Sequence, residues 1–197
     1  MAPRQSADER RHAVLAAAMT VFARNGFAAA TTDEIAREAG LSKGGLYWHF
    51  KSKDEILAAL LLRFFDQELA HLQALLAADT VVADRLRQLT HKVVGGLLDM
   101  ERFLPITLEF YALAARDPGV RQVLQGYYAR YHERLSALLS QGFTRGEFRR
   151  GTAAAAAVTI IAAFEGLALL WAIAPQLVAL REQAEAAMGL ILEGLAA

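Results

Sequence analysis

At 197 residues, 55% hydrophobic and 21% charged, the chain is long and apolar enough to bury a core, which excludes a disordered protein. It has no cysteine, so neither a disulfide framework nor a thiolate metal site is available, as suits a reducing cytoplasm. Net charge is zero, yet residues 1–53 hold eight lysines and arginines against five acids, and the remainder thirteen against sixteen. The cationic excess therefore lies at the N-terminal end, where a polyanion would be met.

In chain order, the pattern predicts helices throughout. The opening MAPRQSADERRHAV has no continuous apolar stretch, so no signal peptide is expected. Three Ser/Thr-x-x-Glu capping boxes, Ser6 with Glu9, Thr31 with Glu34 and Ser52 with Glu55, specify helix starts locally. The first helix is expected over 8–24, with Val14, Ala17, Ala18, Val21 and Phe22 on its apolar face, ending at Asn25-Gly26. A second covers 32–39 and stops at Gly40; a third, capped by Ser42, extends to about Phe50. The fourth, from Ser52 to about Leu76, carries Ile56, Leu57, Leu60, Leu61, Phe64, Phe65, Leu69 and Leu72 at helical spacing, a connecting spine. Further helices are expected over 81–98, 103–115, 118–142, 152–173 and 176–195, with Asp117-Pro118 as a start signal and Pro175 separating the last two. The apolar run 153–174 has the length of a membrane span, but Glu165 near its middle argues instead for a helix buried in the domain and against a second subunit.

The segment from Thr31 to Lys53 reads as a helix-turn-helix, in which one helix braces another whose leading end meets base edges. Thr31 and Thr32 open the bracing helix, where hydroxyls and free N–H groups hold a phosphate. Ser42, Lys43, Gly44 and Gly45 form the tip of the second, with Lys43 aimed at guanine or phosphate and the glycines permitting close approach. Tyr47 and Trp48 offer rings to sugars and thymine methyls, and His49 and Lys53 are phosphate donors.

The run F-A-x-x-G-F, T-T-x-x-I-A-x-x-A-G, L-S-K-G-G-L-Y-W-H-F and K-x-K-x-x-I-L, from Phe22 to Leu57, closely resembles the TetR (tetracycline-repressor-like) family of transcriptional regulators. The resemblance covers about a quarter of the chain in detail. It implies that the third helix reads DNA, with Thr32, Lys43, Gly44, Tyr47, Trp48, His49 and Lys53 at contact positions. Gly45 departs from the pattern, since the family more often has a side chain there. The resemblance further implies a C-terminal ligand-binding domain, a homodimer made by the last two helices, and release from a palindromic operator when effector binds.

Rings with polar tips mark an effector pocket. Phe103, Thr107, Phe110 and Tyr111 share one helical face, Tyr127, Tyr128 and Tyr131 another with His132 adjacent, and Phe64, Phe164 and Trp171 complete the set. Glu109 or Glu165 among such rings suits a cation, although Glu165 also reads as a paired charge near the dimer interface. No nucleophile elbow, phosphate loop, paired carboxylates or metal-ligand spacing appears, so neither an enzyme nor a cofactor is expected. The expected architecture is all-α: a three-helix helix-turn-helix domain over 1–51, then a helical regulatory and dimerisation domain over 52–197 that begins with the connecting helix 52–76. The expected function is that of a cytoplasmic, ligand-responsive repressor, binding double-stranded DNA as a homodimer and released by a small lipophilic effector. A helical ligand-binding or carrier module without DNA function is the alternative.

Overall fold

The computed structural model describes residues 6–99, 101, 104–149 and 151–196; among these there are helices and no strands. The order is α1 (Ala7–Asn25), α2 (Thr32–Glu38), α3 (Lys43–His49), α4 (Lys53–Ala77), α5 (Val82–Asp99), α6 (Leu104–Arg116), α7 (Pro118–Thr144), α8 (Ala153–Ile173) and α9 (Leu180–Ala196). They form two compact units: residues up to Phe64 with 102–124, and residues 65–101 with 125–197. The divisions within α4 and α7 fall inside unbroken helices, so each of these helices contributes residues to both units.

In the first unit, Val14, Leu15, Val21, Phe22, Ile35, Leu46, Phe50, Ile56 and Leu57 are essentially inaccessible. Burying each is worth about 1.5–3 kcal/mol, which lets helices as short as α2 and α3 persist although neither would be stable alone. Their ends are fixed by local chemistry. Ser6 with Glu9 and Thr31 with Glu34 close complete capping boxes. At Ser52 the box is altered: the hydroxyl accepts from the Glu55 N–H, but the Glu55 carboxylate accepts from the Lys51 N–H, one residue earlier. The α2–α3 turn is a Schellman closure, with the Leu41 N–H on the Ala36 carbonyl, the Gly40 N–H on the Arg37 carbonyl and Gly40 at φ +67°. An L side chain at Gly40 would strain the turn that sets α3 against α2.

In the second unit, Leu72, Val82, Leu86, Leu89, Leu135, Leu138, Leu139, Ile160, Met188 and Leu192 make one core, with α9 packed on α5 and α8. At its edge Arg85 is fully buried, and its Nη1 donates to the Leu75 and Ala78 carbonyls and to Gln141 Oε1 at 2.7–3.0 Å. The guanidinium thus closes the C-terminal end of α4, although its Nε and Nη2 have no partner. Burial foremost, and then the like charge of Arg145, depress its pKa, while Glu147 and Asp79 oppose them. Arg85→Ala leaves those acceptors unpartnered beside a void, at about 1–3 kcal/mol per orphaned group, partly offset by removing an unpaired charge. A net loss of about 2–4 kcal/mol is expected in chemical denaturation; a change below 1 kcal/mol would show the clamp to be dispensable.

The last helix begins at Leu180 rather than near 176, because Pro175 is followed by a turn in which the Leu177 N–H bonds to the Ala174 carbonyl. α8 is long and apolar enough to cross a membrane by length and composition. Within the single chain it buries only one side, Ala156, Ala157, Ile160 and Trp171, so the expected enclosure on most sides is not achieved by this chain alone.

Candidate nucleic-acid interface

Three short connections aim α3 outward. The Ser42 hydroxyl caps it by accepting from the Gly45 N–H, Leu46 and Phe50 bury its inner side, and Arg11 of α1 lies 5.0 Å from the Phe50 ring centre. The opposite face presents Trp48, 71% exposed, and Tyr47, 38% exposed. Trp48 stands edge-on to His49 with ring centres 4.6 Å apart. The indole adds little to the packing of the unit and stands free on the capped helix tip, available to a partner. Gly44 has open space where a Cβ would stand, and Gly45 would meet only Ser42 and Leu41, so a groove edge can approach both closely.

The polar groups are partly engaged already. The Thr32 hydroxyl lies 3.2 Å from that of Tyr47, joining the start of α2 to the outer face of α3. Lys43 pairs with Asp33 at 2.9 Å, both partners more than half exposed, and that hydrogen bond and charge raise the lysine pKa. Exposed pairs of this kind are worth about 0.2–1 kcal/mol, so a phosphate or guanine can take Lys43 from Asp33 at little cost. The Thr31 hydroxyl donates to the Glu34 carboxylate while accepting from the Glu34 N–H, so its proton serves the capping box and not a phosphate. Donation from the Thr31 hydroxyl, and then from the Thr31 N–H, holds the Glu34 carboxyl below its usual range.

Lys53 is placed differently from the phosphate donor expected. Its ammonium lies 2.6, 3.0 and 3.0 Å from the carbonyls of Phe27, Ala28 and Ala30, and 4.6 Å from the Phe27 ring centre. All three donors are committed to the α1–α2 loop, which no other side chain holds in this way among the described residues. The sequence shows a lysine at the right spacing but not the carbonyl cluster that folding brings to it. Lys53→Met is expected to lower stability by about 1.5–3 kcal/mol through these charge-assisted bonds, leaving the slope of log K against log salt for DNA unchanged. A slope reduced by about one, with melting temperature unaltered, would restore the phosphate role.

The pocket candidates fall into both units. Phe64, Thr107, Phe110 and Tyr111 belong to the first, where Phe110 is buried; Tyr127, Tyr131 and Phe164 belong to the second; Phe103 lies outside the described residues. The first unit has a groove of about 280 Å³ at the α1–α2 corner, lined by Phe22, Asn25, Gly26 and Phe27 with Ile106 and Glu109 of α6. In the second, Tyr127 stacks on Phe65 with ring centres 3.8 Å apart, and Tyr131 and Phe164 pack against the core. Glu165 accepts the Tyr128 hydroxyl at 2.7 Å, which gives this carboxylate a partner within the unit.

Sequence reading passed over Glu68. It is 8% exposed, and burial raises its carboxyl pKa while Lys92 opposes the shift. The signal was present: position 68 continues the apolar register of Leu61, Phe64, Phe65 and Leu72, so a carboxylate there enters the interior.

Comparison with known proteins agrees with this geometry. Residues 14–60 match the family model "Bacterial regulatory proteins, tetR family", and residues 82–197 match "BetI-type transcriptional repressor, C-terminal". An uncharacterised HTH-type transcriptional regulator, YfiR of Bacillus subtilis, is 32% identical over 143 residues, 72% of this chain and 69% of that one. Other curated relatives are matched over 26–41% of their own length. Among solved structures, the SmeT–triclosan complex superposes with a TM-score of 0.79 at 22% identity, covering 95% of this chain and 92% of that one. FadR of Bacillus subtilis with stearoyl-CoA gives 0.74 at 21%, covering 93% and 98%. Those two likenesses speak for the fold, and the family matches speak for the lineage: the chain belongs to the TetR family of bacterial transcriptional regulators.

Proposed function

We propose that this regulator is a homodimeric repressor acting in the cytoplasm, with residues 1–51 on a palindromic operator and residues 52–197 serving dimerisation and effector binding. The observation that carries the reading is the outward tip of α3, where Trp48 is 71% exposed beside Tyr47 on a helix capped by Ser42. Lys43, Gly44, Gly45, Tyr47, Trp48 and His49 would enter the major groove, and Thr32 and the free N–H groups at the start of α2 would meet a phosphate. Lys53 serves by holding the loop against which α2 is set.

Dimerisation is assigned to α8 and α9. Large apolar side chains exposed on the single chain gather there: Val158, Leu169, Leu170 and Ile173 on α8, Leu177 in the following turn and Leu190 on α9. A surface of this kind is met by its own copy in a two-fold interface. It also accounts for the open side of α8 without a membrane.

Release by a small lipophilic effector follows as a population shift: a molecule preferring a dimer with another α3 spacing weakens DNA binding by the same coupling factor. Triclosan in SmeT and stearoyl-CoA in FadR support an apolar ligand for this fold. The α6 residues Ile106 and Glu109 beside the α1–α2 corner offer a route by which α6 can move the DNA module. Titration of a labelled duplex from the protein's own upstream region tests the reading. Retention against excess nonspecific duplex is expected; equal affinity for both duplexes would refute operator recognition.

A further inference from the structure

Two acidic side chains stand in the first turn of α2, and they are used differently. Glu34 is spent on the fold: it accepts from the Thr31 N–H and hydroxyl and from Asn25. Asp33 closes no cap. Its two carboxylate oxygens lie 2.9 and 3.1 Å from the ammonium of Lys43, the first residue of α3, and among the described residues it binds no backbone N–H. Both side chains are more than half exposed, so the pair adds little to stability. It stands on the side of α3 that carries Tyr47: Lys43 is close enough for the phenol to favour its charged form, and the Tyr47 hydroxyl lies 3.2 Å from that of Thr32. Electrostatic attraction to DNA alone gives no reason for a carboxylate at that place.

Paired in this way, Lys43 distinguishes two kinds of acceptor. An ammonium has three N–H donors, so one held by a carboxylate can still donate to the neutral O6 or N7 of guanine. A phosphate is treated differently. Lys43 and Asp33 together carry no net charge, so the pair draws a phosphate weakly and releases few of its counterions. A phosphate that takes Lys43 also meets the carboxylate it has freed, and the two like charges repel. Lys53 does not make up the loss, because its ammonium is committed to the Phe27, Ala28 and Ala30 carbonyls.

Resting on the reading of α3 as the DNA-reading helix, we propose that Asp33 is a specificity-determining residue: it withholds Lys43 from the phosphate backbone and leaves it to guanine in the major groove. Binding to any duplex becomes weaker, and the gap between operator and unrelated DNA becomes wider.

The test uses Asp33→Asn, which keeps the size of the side chain and removes its charge, in the full-length protein. Anisotropy compares it with the wild type on the upstream duplex and on an unrelated duplex of the same length, across a salt series. Affinity for the unrelated duplex is expected to rise at least about tenfold at about 0.1 M salt. Its log K should fall more steeply against log salt by about two, one phosphate for each subunit of the dimer. The upstream duplex should gain less, so that the preference for it falls by at least about threefold. In a Lys43→Gln background, Asp33→Asn should leave the slope unchanged. A slope change of the same size there would make Asp33 a general repulsive charge and overturn its action through Lys43. An unchanged slope without Lys43→Gln, or equal gains on both duplexes, would overturn the proposal as well, and so would an Asp33→Asn protein that does not fold. If the wild type showed no preference for the upstream duplex, the operator reading would fail, while the slope on the unrelated duplex would still decide the hold on Lys43. Binding of neither duplex by either protein would refute the DNA reading and the proposal with it.

Discussion

Leu170→Glu is expected to convert the dimer into monomers at micromolar concentration and to abolish stable operator binding with it. Leu170 is 53% exposed on the single chain, on the same side of α8 as Ile173 at 68% and next to Leu169 at 47%. The side chain contributes little to the fold of one subunit, so a surface substitution there should change monomer stability by no more than about 0.5 kcal/mol. In a two-fold interface one substitution places two carboxylates in an apolar seam, each with a desolvation penalty of several kcal/mol. Every 1.4 kcal/mol is tenfold in the dissociation constant, so dimer affinity should fall by at least about a thousandfold. Operator affinity follows, because joining two half-site readers raises avidity by about 10²–10⁴. Analytical ultracentrifugation reads the outcome; a variant still dimeric at the wild-type concentration would place the interface elsewhere.

Trp48→Ala separates recognition from assembly. Its ring is exposed and touches only His49 among the ring pairs of α3, so folding and dimerisation should be unchanged. If the indole packs against the groove, each half-site loses about 1–3 kcal/mol, and a dimer loses that twice. Operator affinity measured by anisotropy is then expected to fall by about a hundredfold or more, with the salt slope intact, since no phosphate contact is removed. A variant that unfolds or becomes monomeric would show the indole to be structural, and one that binds normally would remove it from the interface.

Much of this was legible in the chain because its signals are local. Capping boxes, Gly40 and Asp117-Pro118 act within one helical turn, and the helices they announce stand within a few residues of where the pattern puts them. The exception at the start of α9 arises from the turn after Pro175, whose length no capping signal announces. The exposed tip at Tyr47 and Trp48 was also readable, because Leu46 and Phe50 already fill the inner face of so short a helix. What could not be read were contacts made at a distance. Lys53 reaches back 23–26 residues to three carbonyls, Arg85 reaches Gln141 across 56, and both roles depend on backbone groups that carry no sequence signature. Glu68 is intermediate, since its register on α4 places it on the inner side, but only the packed unit shows how little of it stays exposed.

The central claim is that two copies of α3 occupy successive major grooves of one operator. Hydroxyl-radical footprinting of the upstream duplex tests it most directly. The prediction is two protected patches on one face of the DNA, centred about 10–10.5 base pairs apart, disappearing together in Leu170→Glu and weakening together in Trp48→Ala. A single patch, or protection that survives both substitutions, would contradict it.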